Sequence, residues 1–180
     1  MNLADHHKQH VILNDHPLGK VNMSVEAQSP PIARTYVTGS NIAVESLKAT
    51  AMFRWHVTMT KTAAGTASSV WDVAFGTTGT TADIARLSFT KIAGTAVTDD
   101  GLVVITAIVR SVGDTGVVVG SFNMTHNLAA TGHSTLPTAN LTAISSAFDT
   151  GLTTNIGLCL TGGTGDAITF QVVTAEAWNI

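Results

Sequence analysis

From Thr35 to the C-terminus the apolar residues recur at every second position, a period that suits strands and does not suit helices. In 49–60, Ala51, Phe53, Trp55, Val57 and Met59 share one face, while Met52, Arg54, His56, Thr58 and Thr60 share the other. Alternation sustained over a dozen residues marks a strand with one face in a core. The pattern recurs at 70–75, where Trp71, Val73 and Phe75 align, and at 84–92. It returns at 102–112, with Val103, Ile105, Ala107 and Val109 in line, and at 117–125. Further strands are expected at 36–44, 138–148, 155–161 and 167–178. In the last of these Ile168, Phe170 and Val172 are assigned to the core face, with Thr174, Glu176 and Trp178 following. No stretch carries the apolar stripe of a two-turn helix, although 138–147 reads as a weak one.

Turn chemistry separates these runs. Gly76-Thr-Thr-Gly79, Gly113-Asp-Thr-Gly116 and Gly162-Gly-Thr-Gly-Asp166 supply backbone positions that accept positive φ, and Asp99-Asp100-Gly101 carries a hairpin signal before the fourth long strand. Eight or nine strands at intervals of about 12 to 20 residues fit an all-β fold. The expected form is a two-sheet antiparallel β-sandwich of jelly-roll type. A parallel β-helix would need a short repeat, and none is found.

The first 34 residues differ in kind. They hold four of the seven His and three of the four Pro, with no sustained period. Asn14-Asp-His-Pro-Leu-Gly19 is turn chemistry, and Pro30-Pro31 forces extended backbone. The apolar knot Val11-Ile12-Leu13 in this segment points to an extended arm that docks on a partner. The organisation expected is therefore an anchoring arm over 1–34 and a sandwich domain over 35–180.

Composition narrows the function. The 180-residue chain is 44% apolar and only 12% charged, so it is not a disordered chain. Nine Lys and Arg against twelve Asp and Glu leave a net charge of -3, and the cations are scattered, which argues against nucleic-acid binding. No run reaches the length of a membrane span, and no signal-peptide core precedes the first strand. The reading is of a protein made in the cytoplasm, where the three Asn-x-Ser/Thr triplets (Asn22, Asn123, Asn140) carry no meaning as glycan acceptors. A single cysteine, Cys159, can form no internal disulfide and sits in an apolar strand as a buried thiol. Abundant Thr, with 16 Gly and few charges, suits a surface that neighbours partly cover.

Chemistry-bearing clusters are few. His6, His7 and His10 have ligand spacing only on a helix that the segment does not favour, and no metal or cofactor is assigned. His126 and His133 flank a loop, and with Asp114 or Asp149 a Ser-His-Asp set can be composed, but no Gly-x-Ser-x-Gly elbow marks a nucleophile. His126 reads as a strand-end residue bonded to backbone, and no catalytic residue is assigned. Trp55 reads as core, while an exposed Trp71 or Trp178 would serve a sugar-binding face. Trp178, near the C-terminus, suits a contact between subunits. The partner-binding residues expected are Val11, Ile12, Leu13 and Trp178.

One ordered set of short motifs carries a resemblance. Phe53-Arg-Trp-His-Val-Thr-Met-Thr-Lys-Thr-Ala-Ala-Gly-Thr66 is similar to a segment that recurs in structural proteins of tailed bacteriophages. Gly79-Thr-Thr-Ala-Asp83, Arg110-Ser-Val-Gly113, Leu128-Ala-Ala-Thr-Gly132 and Phe148-Asp149-Thr150 follow it in the same order. The resemblance spans about 48–180. It implies a non-enzymatic virion component of jelly-roll type: a capsid decoration or cement protein, a head fibre, or a fibre knob, usually a homotrimer. Partners would then be the chain itself and a major capsid or other virion protein. A fibre module that binds a host-surface glycan is the alternative.

Overall fold

The computed structural model describes residues 13–16, 19–29, 32–136, 138–163 and 167–180, and among these every regular element is a strand. In chain order they are β1 (Leu13–His16), β2 (Gly19–Ser24), β3 (Thr35–Tyr36), β4 (Ile42–Ala43), β5 (Met52–Lys61) and β6 (Ser69–Gly76). They continue with β7 (Ile84–Lys91), β8 (Asp99–Ser111), β9 (Val117–His126), β10 (Thr138–Ile144), β11 (Asn155–Thr161) and β12 (Ile168–Trp178). Seven of them form one sheet in the order β1-β2-β12-β5-β8-β9-β10. The other sheet runs β3-β11-β6-β7, with β4 also paired to β11. Every pairing is antiparallel. The two sheets pack as a β-sandwich, as the period-two reading requires.

Between the sheets lies one apolar core. Trp71 on β6 reaches across to Phe122 on β9 and Phe170 on β12, with ring centroids 5.8 and 5.4 Å away. Phe89 on β7 stacks on Phe122 at 6.0 Å. Phe53, Trp55, Val57 and Met59 of β5 and Val103, Ile105, Ala107 and Val109 of β8 are buried on the faces assigned to them. Trp55 and Trp71 are fully buried, and their indole N–H groups donate to Ser40 O and Ser69 Oγ. Burial of Cys159 pushes its thiol up to about 11.

Three local expectations are corrected. Residues 13–16 and 19–24, expected within the arm, form β1 and β2, and β2 pairs with β12 from Val173 to Trp178. Asp99-Asp100-Gly101 is not a turn but the first part of β8, because the Asp99 carboxylate is satisfied by donors inside the fold; the reversal falls at 92–98. The strand expected over 138–148 forms as β10, over 138–144. In β12 a bulge between Phe170 and Val172 shifts the register by one. Val173, Ala175 and Ala177 therefore point inward, and Val172, assigned to the core, points outward with Thr174, Glu176 and Trp178.

Part of the outer face of the smaller sheet, around Asp72, is covered by Arg34. Arg34 Nε bonds Asp72 Oδ2 at 3.0 Å, and its Nη1 donates to Thr81 O and Asp83 O. Burial raises the Tyr36 hydroxyl well above its ordinary range. Burial alone would also raise Asp83, but donors from the Thr78 hydroxyl and the amides of Thr78, Gly79 and Thr77 hold its carboxyl below the usual range. These bonds close the Gly76–Asp83 turn, where Gly79 takes a φ of 65°.

Candidate functional site

The larger sheet presents its second face outward, and the register of its strands sets what that face carries. Met52, Arg54, His56 and Thr58 of β5 stand beside Ile108, Thr106, Val104 and Leu102 of β8. Val119, Ser121, Asn123 and Thr125 of β9 continue these rows. On the other side of β5 lie Trp178, Glu176, Thr174 and Val172 of β12, with Val21 and Met23 of β2 beyond them. An antiparallel face turned to water is ordinarily polar. Here Val21, Met23, Ile108 and Ile144 are all more than a third exposed.

Trp178, expected at an interface, ends β12 on this face. It is half-buried, pairs with Met52, and has the Arg54 guanidinium 5.5 Å from its ring centroid. Leu13 opens β1 and pairs with Val21 at the sheet's margin. Val11 and Ile12 lie outside the described residues, as do His6, His7 and His10. Trp71 is in the core, so Trp178 is the one tryptophan of the three with a partly exposed ring.

Sequence reasoning missed a second cluster, which is buried. At one end of the core, Asp99, His126 and His133 meet near Lys61 and Lys91, two lysines that are almost wholly buried. The Asp99 carboxylate accepts from His126 Nδ1 at 2.7 Å, from the His133 amide at 3.0 Å and from the Asp100 amide at 2.9 Å. The other ring nitrogen of His126 lies 2.6 Å from Leu136 O. A carboxylate and a carbonyl both accept, so His126 needs a proton on each nitrogen to make both bonds. Burial alone would raise the Asp99 carboxyl, but these donors and the nearby imidazoles hold it below its ordinary range. His133 is fully buried, and neither ring nitrogen finds a partner among the described residues. Burial pushes its pKa down to about 4; the positive charges of Lys91, Lys61 and His126 add to this, while Asp99 opposes it. Lys61 Nζ donates to the carbonyls of Thr62, Thr95 and Val97.

This arrangement fastens a loop. His126, His133 and the paired backbones of Thr95 and Gly132 tie residues 127–136 to the sandwich. His126 pairs with Asp99, and not with the Asp114 or Asp149 considered from the sequence. Its Nε2 faces a carbonyl and not a hydroxyl, so it is not placed to take a proton from serine. Among the described residues no three His, Cys, Asp or Glu side chains form a metal-binding group.

Beyond His126 the outer face dips into a shallow depression of about 400 Å³. Thr58, Thr60, Asp100, Thr125, Asn127 and Gln171 line it. Its donors and acceptors suit a polyhydroxylated ligand, but no aromatic ring floors it.

No protein-family model matches the chain, and no curated protein matches it. Among solved structures it is similar to the CBM2 module of the evolved Dit of Lactobacillus casei BL23 phage J-1. The identity is 12% and the TM-score 0.35, over 78% of this chain and 69% of that one. It is also similar to the fructofuranosidase from Schwanniomyces occidentalis, at 8% identity and a TM-score of 0.27, over 88% of this chain and 34% of the enzyme.

Proposed function

We propose that the chain is a non-enzymatic structural protein of a bacteriophage virion, a capsid decoration or cement protein. In this reading the segment around Val11, Ile12 and Leu13 anchors it to a capsid protein, and the sandwich stands out as a trimeric knob. The observation that carries the reading is the outer face of the larger sheet. A charge-poor chain with apolar side chains on a face that water would keep polar is built for contact with other proteins. The resemblance over 48–180 supplies the virion and the trimer. The cluster of Asp99 and His126 supports the non-enzymatic part, because the hydrogen bonds of these two side chains are spent on fastening a loop.

The physical mechanism is burial combined with multivalency. Ordering an arm costs conformational entropy, which apolar anchors must offset. Several arms on one oligomer then bind at high effective concentration. Cosedimentation with phage heads that lack the protein tests this. The deletion must stop before Leu13, because removing the whole segment to residue 33 would also remove β2 from the sheet. A protein lacking residues 1–12 should stay folded and fail to cosediment; undiminished binding refutes the anchor.

A second reading, a tail or head-fibre module for a host-surface glycan, is favoured by the depression that Asp100, Asn127 and Gln171 line together with Leu102 and His126. Glycan-array binding that is lost in Gln171→Ala would select it.

A further inference from the structure

The strand register places five apolar side chains in a straight line across the outer face of the larger sheet. Trp178 pairs with Met52, Met52 with Ile108, Ile108 with Val119, and Val119 with Ile144. Their sequence neighbours Ala177, Phe53, Ala107 and Val118 point into the core, so the row points out. Ile108 is 38% exposed and Ile144 is 57% exposed. Cross-strand pairing stabilises such a row laterally, but it leaves the tops of these side chains in water. Between β8 and β10 the row lies along a shallow depression of about 460 Å³ that also contacts Thr106, Ser121 and Thr142.

We infer that a second copy of this chain packs face to face on this sheet, about a twofold axis running along β8 through Ile108. The inference goes beyond the trimer of the proposed function; it shares with that reading the premise of self-association and the outer face of the larger sheet. Three observations carry it. The first is the symmetry of the row. Rotation about β8 sets Ile108 on Ile108, Met52 on Val119, and Trp178 on Ile144, so apolar meets apolar along its whole length. The second is charge. In the next row, Glu176, Arg54, Thr106, Ser121 and Thr142 stand in line. The same rotation opposes Arg54 to Ser121 and Glu176 to Thr142, so no like charges meet. In the third row it opposes His56 to Asn123 and Thr174 to Asn140, with Val104 on the axis.

The third observation is size. The rotation overlaps five strands about 4.8 Å apart and four rows about 6.8 Å apart, a face of roughly 24 by 27 Å. That is at the lower edge of the roughly 800 Å² each partner contributes to a stable interface. A flat sugar is a poorer occupant, because the ring of Trp178 already carries the Arg54 guanidinium. A membrane surface is poorer still, because the face has no cluster of cations.

Light scattering coupled to size exclusion tests the contact on the full chain. The wild type should elute at twice 18.6 kDa or an even multiple of it. Ile108→Arg places two cations on the axis and should halve that mass while circular dichroism stays that of the wild type. Ser121 is a second probe that leaves the apolar row intact. Ser121→Lys faces Arg54 of the second copy and should weaken association, whereas Ser121→Glu should hold or tighten it. The two dissociation constants should differ by tenfold or more. A monomeric wild type overturns both this contact and the knob. A mass of three copies overturns the twofold contact and leaves the trimer standing. Equal effects of Lys and Glu at Ser121 also overturn it. Capsid attachment is read separately by cosedimentation, so the two readings fail independently.

Discussion

Burying His133 without partners for its ring should make this protein lose stability in mild acid, and the loss can be assigned to one side chain. The unfolded chain takes up the imidazole proton near pH 6.5, whereas the folded state keeps the ring neutral down to about pH 4. Between those values the unfolded state binds more protons, so stability falls as pH falls and is complete only above about 6.5. The cause is burial, reinforced by Lys91, Lys61 and His126 and partly opposed by the Asp99 carboxylate. One pKa unit is worth about 1.4 kcal/mol, so the full window amounts to about 3 kcal/mol. Discounted for solvent screening, about 2 kcal/mol remains. His133→Phe keeps a flat ring in the same space and removes the titration. Urea unfolding of both proteins from pH 7.5 to 4.5 should show a gap that shifts by about 2 kcal/mol in favour of the variant as acid is added. Other titrating groups act alike in the two proteins and cancel. Parallel stability curves across that range would refute the reasoning.

Other perturbations test the rest of the framework. Asp99→Asn removes the charge that faces His126 and turns an amide N–H toward the donors of His126 or His133. A loss of about 3 kcal/mol and a melting point lower by about 10 °C should follow, read by calorimetry. Phe122→Ala opens a cavity against Trp71 and Phe89 and should cost about 3–5 kcal/mol in denaturant melts. A side chain at Gly157 would run into the Tyr36 ring, so Gly157→Ala should cost about 1–3 kcal/mol, and less in a Tyr36→Ala background. The Cys159 thiol should ignore a disulfide reagent at pH 8 until denaturant is added; labelling at the rate of a free thiol would show that it is not sealed in the core.

The buried polar end of the sandwich gives a charge-poor protein an unusual local dependence on charge. Asp99, His126, His133, Lys61 and Lys91 occupy a site that apolar residues could fill. Networks of this kind are weak sources of net stability and costly to break in part. Their effect here is positional: they bind loop 127–136 to β8 and β9 at one end of the sheet, beside the polar depression.

Alternation alone determined most of the sandwich. Phe53 to Met59 and Val103 to Val109 point inward as their period requires, because a strand's two faces are set by the pleat and need no partner to define them. Trp55 was legible as core for the same reason, whereas the burial of Trp71 was not. Asp99-Asp100-Gly101 misled, because turn chemistry was read locally while its carboxylate is satisfied by His126 and the His133 amide, both distant in sequence. The bulge after Phe170 was equally invisible, since its signal is the pairing of β12 with β5 and not any residue in β12 itself. That one-residue shift carries Val172 and Trp178 to the outside and makes the outer row continuous. Only tertiary structure could align Trp178, Met52, Ile108, Val119 and Ile144, because a row across a sheet is a property of register, and register is set by strands that meet in space.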